Sequence, residues 1–350
     1  MFKEQTISDF LSGGYPIIDV RAPKEFQAGH IPGAMNIPLF DDTERAVIGT
    51  AYKREGRQSA IRKGLAITGP KMEQFLEKAY AASPGQKLAI HCWRGGMRSR
   101  SMATLFDFAG FDTRVLKGGY KAYRAAVHAQ FATPLKLIIL GGRTGSGKTK
   151  ILQALPEQGE QIIDLEKMAH HKGSAFGDLG EEPQPSTEMF ENLLFTELQK
   201  MDTGKRIWVE DESHMIGTVF IAEPFWQQMR IAPVVFCDVP VEERIRFLME
   251  NYGHYDAAGL IHAVHKITKR LGGQHAKAAI EAFEQGDLET ATRTVLVYYD
   301  KTYAYGISQR LQERIHTVEM RHIHPQENAQ QLITFADSKQ ETLFQATSIV

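Results

Sequence analysis

The sequence predicts an α/β protein of two successive parallel-sheet domains, the second ending in a helical part. Three observations predict it. The chain has 350 residues, a length that suggests two domains or three. Short apolar runs alternate with segments of helical period, and the alternation starts afresh after about residue 134. Charge reverses at the same place: residues 1–133 hold 19 Lys and Arg against 12 Asp and Glu, whereas residues 134–350 hold 22 against 30. The formal net charge of −1 hides this. Halves of opposite sign point to different partners, the first better suited to a polyanion, with mutual attraction of the two domains as the other reading.

The first domain is expected over 1–128. Tyr15–Val20 (YPIIDV) reads as a strand ending at an acid, and Lys87–Cys92 (KLAIHC) as another. Between them Pro70–Ala82 has apolar residues at helical spacing behind a proline. Ser99–Gly110 is a further helix closed by glycine. His128–Pro134 reads as a linker into a second domain, 129–350. That domain opens on Leu135–Leu140 (LKLIIL), a continuous apolar run of the kind buried parallel strands show. Strands follow at Gln161–Leu165, Arg206–Val209 and Pro233–Cys237, and from about Val241 to Gln312 the pattern is almost wholly helical. There is no internal repeat and no low-complexity segment.

A composition 43% hydrophobic and 24% charged excludes a disordered or fibrous chain. Two cysteines, Cys92 and Cys237, are too few for a disulfide framework, which suggests a reducing compartment. The opening MFKEQTISDF lacks the apolar core of a secretory signal, and no apolar run approaches the roughly 20 residues a membrane span needs. A soluble cytoplasmic protein is the expectation.

His91–Ser99, HCWRGGMRS, is the most informative segment. A strand delivers Cys92 to its carboxyl end, Gly95 and Gly96 let the loop close around an anion, and a helix begins near Ser99. Backbone N–H groups of Trp93 to Ser99, with Arg94 and Arg98 beside them and Met97 between, favour thiolate over thiol, so a lowered pKa is expected. Cys237, inside the apolar run PVVFC, reads instead as an inert core thiol. Two chemistries use a loop like that of Cys92: transfer of sulfur or selenium, and phosphate-ester hydrolysis through a cysteinyl-phosphate. The spacing Cys92-x5-Arg98-Ser99 satisfies the pattern of the second. Either use needs the thiol within reach of solvent.

Gly142–Thr149, GRTGSGKT, matches the phosphate-binding P-loop pattern G-x-x-x-x-G-K-[ST] in full, after a strand and before a helix-like segment, Lys150–Leu155. The loop of Gly142, Arg143, Thr144, Gly145, Ser146 and Gly147 would hold a diphosphate, wrapped by the backbone N–H groups from Gly145 to Lys148; Lys148 would neutralise it, and Thr149 would bind Mg²⁺. Glu210 and Asp211, after RIWV, sit where a P-loop fold keeps its metal-organising carboxylate. Asp164 and Glu166, after QII, also stand at a strand's carboxyl end, with helix capping as the alternative reading.

The flanking residues narrow the first loop. Asp19–Pro38, DVRAPKEFQAGHIPGAMNIP, resembles the first signature of rhodanese-type sulfurtransferases, and Val115–Tyr120, VLKGGY, the glycine pair that closes that domain; the resemblance covers about 5–128. The loop departs from most rhodaneses in placing its arginine one residue later, which implies a larger pocket. A rhodanese-like domain followed by a P-loop NTPase-like α/β domain resembles the bacterial tRNA 2-selenouridine synthase family. So do Gly49–Gly64 (GTAYKREGRQSAIRKG), Asp164–Gly177 (DLEKMAHHKGSAFG) and Glu210–Gly217 (EDESHMIG), and the resemblance spans about 5–320. It implies a transferase acting on the wobble uridine (position 34) of tRNAs for lysine, glutamate and glutamine, with geranyl diphosphate and selenophosphate as co-substrates. The sulfur of 2-thiouridine would first be geranylated at the P-loop, and geranylthiol then replaced by selenium at the rhodanese-like domain. Cys92 would carry selenium or position selenophosphate. No tightly bound prosthetic group is implied.

A tRNA needs a basic surface. Lys53, Arg54, Arg57, Arg62 and Lys63 lie in the insert with Glu55 opposing them, and His265, Lys266, Lys269 and Arg270 form a second cluster; a solvated charged face is the plain alternative for each. Tyr52 and Trp93 are candidates to stack on an extruded base, against burial in the core. His170-His171-Lys172 and His322-x-His324 lack the spacing of a metal site. Two other functions remain open. One is a nucleotide-dependent kinase or ATPase coupled to a sulfurtransferase. The other is a regulatory binding module, which an intact Cys92 argues against.

Overall fold

The computed structural model describes residues 2–344. The chain divides into two compact units, one of residues up to 130 together with 191–196, the other of the remainder.

The first unit holds strands β1 (Lys3–Gln5), β2 (Ile17–Asp19), β3 (Met35–Asn36), β4 (Lys87–His91) and β5 (Asp112–Leu116), and helices α1 (Ile7–Ser12), α2 (Pro23–Ala28), α3 (Asp42–Arg54), α4 (Arg57–Thr68), α5 (Met72–Ala82), α6 (Met97–Phe108) and α7 (Gly119–Phe131). Its sheet is parallel throughout, in the order β1-β5-β4-β2-β3, with Ile18 level with Ile90 and Ile90 level with Val115. Those three side chains are fully buried, with Phe75 on α5 and Phe106 on α6 in the same core. β4 is apolar at consecutive positions because a parallel strand is covered on both faces. The insert between β3 and β4, unassigned by pattern, contributes two helices: α3 starts at a reciprocal Asp41–Glu44 cap, and the chain breaks at Glu55-Gly56 before α4.

The second unit holds β6 (Lys136–Gly142), α8 (Lys148–Ala154), β7 (Gln161–Ile163), α9 (Leu165–Ala169), α10 (Thr187–Leu198, whose residues 191–196 count with the first unit), β8 (Arg206–Glu210), β9 (Met215–Ile216), β10 (Val219–Phe220), α11 (Glu223–Ile231) and β11 (Val234–Asp238). Then come α12 (Val241–Tyr252), α13 (Ala257–Leu271), α14 (Gly273–Glu284), α15 (Leu288–Ser308), β12 (Ile315–Glu319), α16 (Pro325–Ser338) and α17 (Gln340–Leu343). Its main sheet is again all parallel, β12-β11-β6-β8-β7. β6 is central, and the chain leaves it first to one side and then to the other. That reversal is a topological switch point, where ligands of open α/β sheets bind at the carboxyl ends of the strands.

Helices α12 to α15 form the expected helical part, with a core of Leu260, Val264, Phe283 and Val295. Two boundaries differ from expectation for a local reason. The strand predicted over Gln161–Leu165 stops at Ile163, because Asp164 turns the chain into α9 by accepting from the Lys167 amide at 2.8 Å. The helix predicted from Lys150 begins at Lys148, directly on the phosphate loop. Among the described residues no helix is long and apolar enough to cross a membrane.

Candidate active sites

In the first unit Cys92 follows β4 directly. The loop it opens is clasped by the start of α7: the Cys92 carbonyl accepts from the Tyr120 amide at 2.8 Å and that of Trp93 from Lys121 at 2.9 Å. This clasp explains the glycine pair of VLKGGY. Gly119 stands at φ +61°, and a Cβ there would lie 2.3 Å from the Cys92 carbonyl oxygen. The loop ends at Gly96, which caps α6 without a side-chain bond, so the first amides of that helix face the loop unclaimed by any cap.

The Cys92 sulfur lies 3.2 Å from the Ser99 hydroxyl, which is itself 3.1 Å from the Gly96 carbonyl. A hydroxyl has one hydrogen. With that hydrogen on Gly96, Ser99 can only accept from the thiol; once the thiol ionises, Ser99 must turn to donate to sulfur. Two expectations are corrected here. The thiol is not open: Cys92 is 3% exposed and packs with the core of the unit. Arg98, expected beside the sulfur, is turned to Glu25 at 2.7 and 3.3 Å. Burial pushes the Glu25 carboxyl upward, and Arg98, with the Ala22 amide and Arg45, outweighs this and holds it below the usual range. The Cys-x5-Arg pattern of a phosphatase therefore lacks its arginine in this conformation. Arg94, Trp93 and Met97 stand exposed at the rim.

Beneath the loop lies a buried polar layer. Arg21, 1% exposed, makes a forked contact with Asp19 (2.6–3.1 Å), donates to the Gly29 carbonyl at 2.7 Å and lies 3.7 Å from the Tyr120 ring centre. His91 beside it makes no hydrogen bond through its ring. Burial pushes it down to about 4, so it is neutral and fills space between Phe10 and Tyr120. On α3 and α4, Lys53, Arg54, Arg57, Arg62 and Lys63 are all exposed. Lys63 pairs with Glu55 at 2.7 Å. Tyr52 and Trp93 are 53% and 37% exposed, so neither is spent on the core.

In the second unit the phosphate loop runs from the end of β6 into α8. Gly147 precedes the helix at φ +74°, and a Cβ there would meet Ile323 at 2.6 Å. Lys148 folds back to donate to the Gly142 carbonyl at 2.6 Å, and Thr149 donates to Glu166 at 2.8 Å. Arg143 is held by Asp238 at 3.1 Å. Beside the loop the Ser146 hydroxyl and Glu210 Oε1, each on a residue 1% exposed, are buried without a hydrogen-bond partner.

Three carboxyls converge here: Glu166, Glu210 and Glu212. Burial and then mutual repulsion push Glu210 well above the carboxylate range. Glu212 rises likewise, by burial and by Glu166, with which it shares a hydrogen bond; Glu166 is raised by burial despite Thr149. Asp211 and Asp164 do not join them. Asp211 accepts from Tyr303 at 2.9 Å and pairs with Arg310, and Tyr303 in turn accepts from the Gly142 amide at 2.8 Å. Asp164 caps α9 and accepts from Gln153, so the capping alternative holds for it and not for Glu166. The signal for Glu212 was present: in an extended segment residues i and i+2 share a side, which selects Glu210 with Glu212 rather than with Asp211. Arg244, forked to Asp300 (2.8 and 2.7 Å) and donating to the Thr144 carbonyl, had no local signal.

An apolar cleft opens beside the loop at Thr144. It is narrow, with a cavity volume of about 60 Å³ between Phe176, Leu248, Tyr252, Phe283, Val295 and Tyr299 among others. Away from it, Lys266 is tied to Asp178 at 2.6 Å while His265, Lys269 and Arg270 are exposed. Burial pushes the Cys237 thiol up to about 12, as suits an inert core residue. Among the described residues no three His, Cys, Asp or Glu side chains are arranged to hold a metal by themselves.

Comparison with known proteins agrees with this architecture. A family model described as the tRNA 2-selenouridine synthase AAA domain matches residues 135–332, and a rhodanese-like domain model matches 4–126. The chain is 35% identical over 335 residues to the tRNA 2-selenouridine synthase of Shewanella denitrificans, covering 85% of this chain and 89% of the relative. It is 36% identical over 331 residues to that of a Sulfurovum species (86% and 89%) and 35% identical over 346 residues to that of Shewanella woodyi (89% and 92%). The chain belongs to the tRNA 2-selenouridine synthase family.

Proposed function

We propose that this enzyme, as a member of that family, converts 2-thiouridine at the wobble position of tRNAs for lysine, glutamate and glutamine to 2-selenouridine, in two steps divided between its units. At the phosphate loop geranyl diphosphate alkylates the thiocarbonyl sulfur. The C1–O bond of the geranyl group breaks, a C1–S bond forms, pyrophosphate leaves, and the base gives up its N3 proton. The loop amides and Lys148 take the charge that develops on the leaving pyrophosphate, which is where preorganised donors accelerate such a reaction most. The product is an isothiourea-like base with a competent thiol leaving group.

In the second step selenium of selenophosphate attacks C2 of that base, geranylthiol leaves with a proton, and water cleaves the P–Se bond to release phosphate. Forming a selenosulfide from a thiol and selenophosphate would need a two-electron oxidant, which neither co-substrate supplies. The reading therefore gives Cys92, with the amides at the start of α6, the task of holding selenophosphate. Trp93 and Arg94 flank the way in, and Arg98 is available once it leaves Glu25.

One observation carries the reading: the anion loop and an apolar cleft meet at Thr144, which suits a ligand with a diphosphate head and a hydrocarbon tail. The terminal phosphate groups of a nucleotide would use the loop and leave such a cleft unfilled. Mg²⁺ suits the same place. Thr149, Glu166 and Glu210 would hold it together with diphosphate oxygens, and the unpartnered Glu210 Oε1 awaits a cation or a proton. A bound Mg²⁺ would supply charge neutralisation of the diphosphate. The exposed cations of α3 and α4 are the proposed tRNA contacts.

The test is mass spectrometry of nucleosides from wobble-thiolated tRNA incubated with the enzyme and geranyl diphosphate, then selenophosphate. S-geranyl-2-thiouridine followed by 2-selenouridine is expected. The kinase reading is favoured instead if ATP, and not geranyl diphosphate, raises the unfolding temperature, as a ligand of the native state must.

A further inference from the structure

We infer that the far wall of the apolar cleft, built by Leu260, Phe283 and Leu288, sets the length of the prenyl chain the enzyme accepts, with α15 as the ruler between that wall and the phosphate loop. The inference rests on the prenyl-transfer reading above and adds the residues that choose among prenyl diphosphates.

The two ends of the cleft are identified by what each touches. At the near end Tyr303 of α15 bonds the Gly142 amide, Arg244 of α12 bonds the Thr144 carbonyl and Asp300 of α15, and Leu248 lies against Gly145. At the far end Leu288, the first residue of α15, lies against Gly253 just past α12. Phe283 is brought to the same end by the tight turn over 285–287, where the Asp287 amide donates to the Ala282 carbonyl at 2.9 Å. Leu260 joins it because α13 and α14 are adjacent and reverse at Gly272, which places the start of one beside the finish of the other.

Between these ends α15 presents cleft-lining residues in steps: Tyr299, then Val295 and Leu296, then Thr292 and Leu288. At a rise of about 1.5 Å per residue, Tyr299 is about 6 Å, Val295 about 12 Å and Leu288 about 22 Å from Tyr303. The pyrophosphate is fixed at the loop, so each added isoprene unit carries the chain end a definite distance along this helix. Leu260 and Phe283 are 2% and 7% exposed and packed in the core, so the wall does not yield to a longer chain without loss of packing. Even a single methylene in such a pocket changes selectivity by about tenfold or more.

The experiment measures kcat/KM for transfer of five-, ten- and fifteen-carbon prenyl diphosphates to wobble-thiolated tRNA. It uses the wild-type chain, Phe283→Ala, Phe283→Leu and Val295→Phe, with inorganic pyrophosphate protection against thermal unfolding as the control for an intact loop. Phe283→Ala is expected to raise the fifteen- to ten-carbon ratio by at least tenfold, and Phe283→Leu, which keeps the core filled, to raise it by a smaller factor. Val295→Phe, which narrows the cleft halfway along, is expected to move preference toward the five-carbon chain. Variants that keep pyrophosphate protection and the wild-type chain preference would overturn the wall. A wild-type protein that pyrophosphate protects but that transfers no prenyl group of any length would overturn the prenyl reading itself, and the wall with it.

Discussion

The loops of Cys92 and Lys148 are built alike and equipped differently. Each leaves the carboxyl end of a strand inside a parallel sheet, passes through glycines at positive φ where a Cβ would clash (Gly95 in one, Gly145 and Gly147 in the other), and enters a helix. The Cys92 loop is satisfied by its own unit: its sulfur meets Ser99, its arginine meets Glu25, and its reactive residue is almost covered. The Lys148 loop is unfinished, with the Ser146 hydroxyl and a Glu210 oxygen buried and unpartnered and an apolar cleft alongside. On the proposed reading, the same backbone device gives an anion site that must open and one that stands ready. What separates them is the side chains supplied by distant elements.

Lys148→Ala breaks the comparison most severely. It removes the only full positive charge the P-loop pattern places on the diphosphate, so geranyl transfer is expected to fall at least a hundredfold. The check is single-turnover formation of S-geranyl-2-thiouridine, with selenium exchange on pre-geranylated tRNA unaffected.

A middle-sized effect should belong to the first unit alone. Replacing Lys53, Arg54 and Arg57 by alanine is expected to weaken tRNA binding about tenfold at moderate salt. The slope of log K against log salt should become shallower by about 0.7–0.9 for each phosphate that is no longer neutralised. An equal weakening at all salt concentrations would show that these residues do not touch phosphate.

The smallest effect concerns the acids of the second unit. Glu210 is raised above its unfolded value, near 4.5, by burial and by its neighbours. The folded state therefore keeps a proton the unfolded state loses, and stability is lost as pH rises from about 4.5 toward the folded pKa. Glu210→Gln cannot ionise. Its unfolding temperature should exceed that of the wild type at pH 8 by about 2–4 °C per kcal/mol relieved, and the difference should vanish below pH 4.5. Mg²⁺ with pyrophosphate should stabilise the wild type and not this variant.

Both loops were legible in the sequence because their spacing is local: a strand, glycines at fixed offsets, a charged residue, a helix. The alternation of strands and helices was equally plain where strands are apolar, as in KLAIH and LKLIIL. It missed the edge strands β1, the polar KEQ, and β12, IHTVE, since an edge strand needs no continuous apolar run, although the edge strand β7 was legible as QII. Glu212 stands outside the adjacent pair Glu210-Asp211, and its signal is alternation rather than adjacency. Tyr303, Arg310 and Arg244 reach the second site from α12 and α15 and beyond, some 90 to 160 residues from their partners, and only the tertiary fold brings them there. The retreat of Arg98 was illegible for the same reason: Glu25, 73 residues away, takes the arginine that the loop's own spacing assigns to the anion.

The division of labour between the two loops is tested most directly by Cys92→Ala, assayed on wobble-thiolated tRNA with both co-substrates by nucleoside mass spectrometry. S-geranyl-2-thiouridine should accumulate with no 2-selenouridine formed. Loss of both products, or selenium incorporation at the wild-type rate, would contradict it.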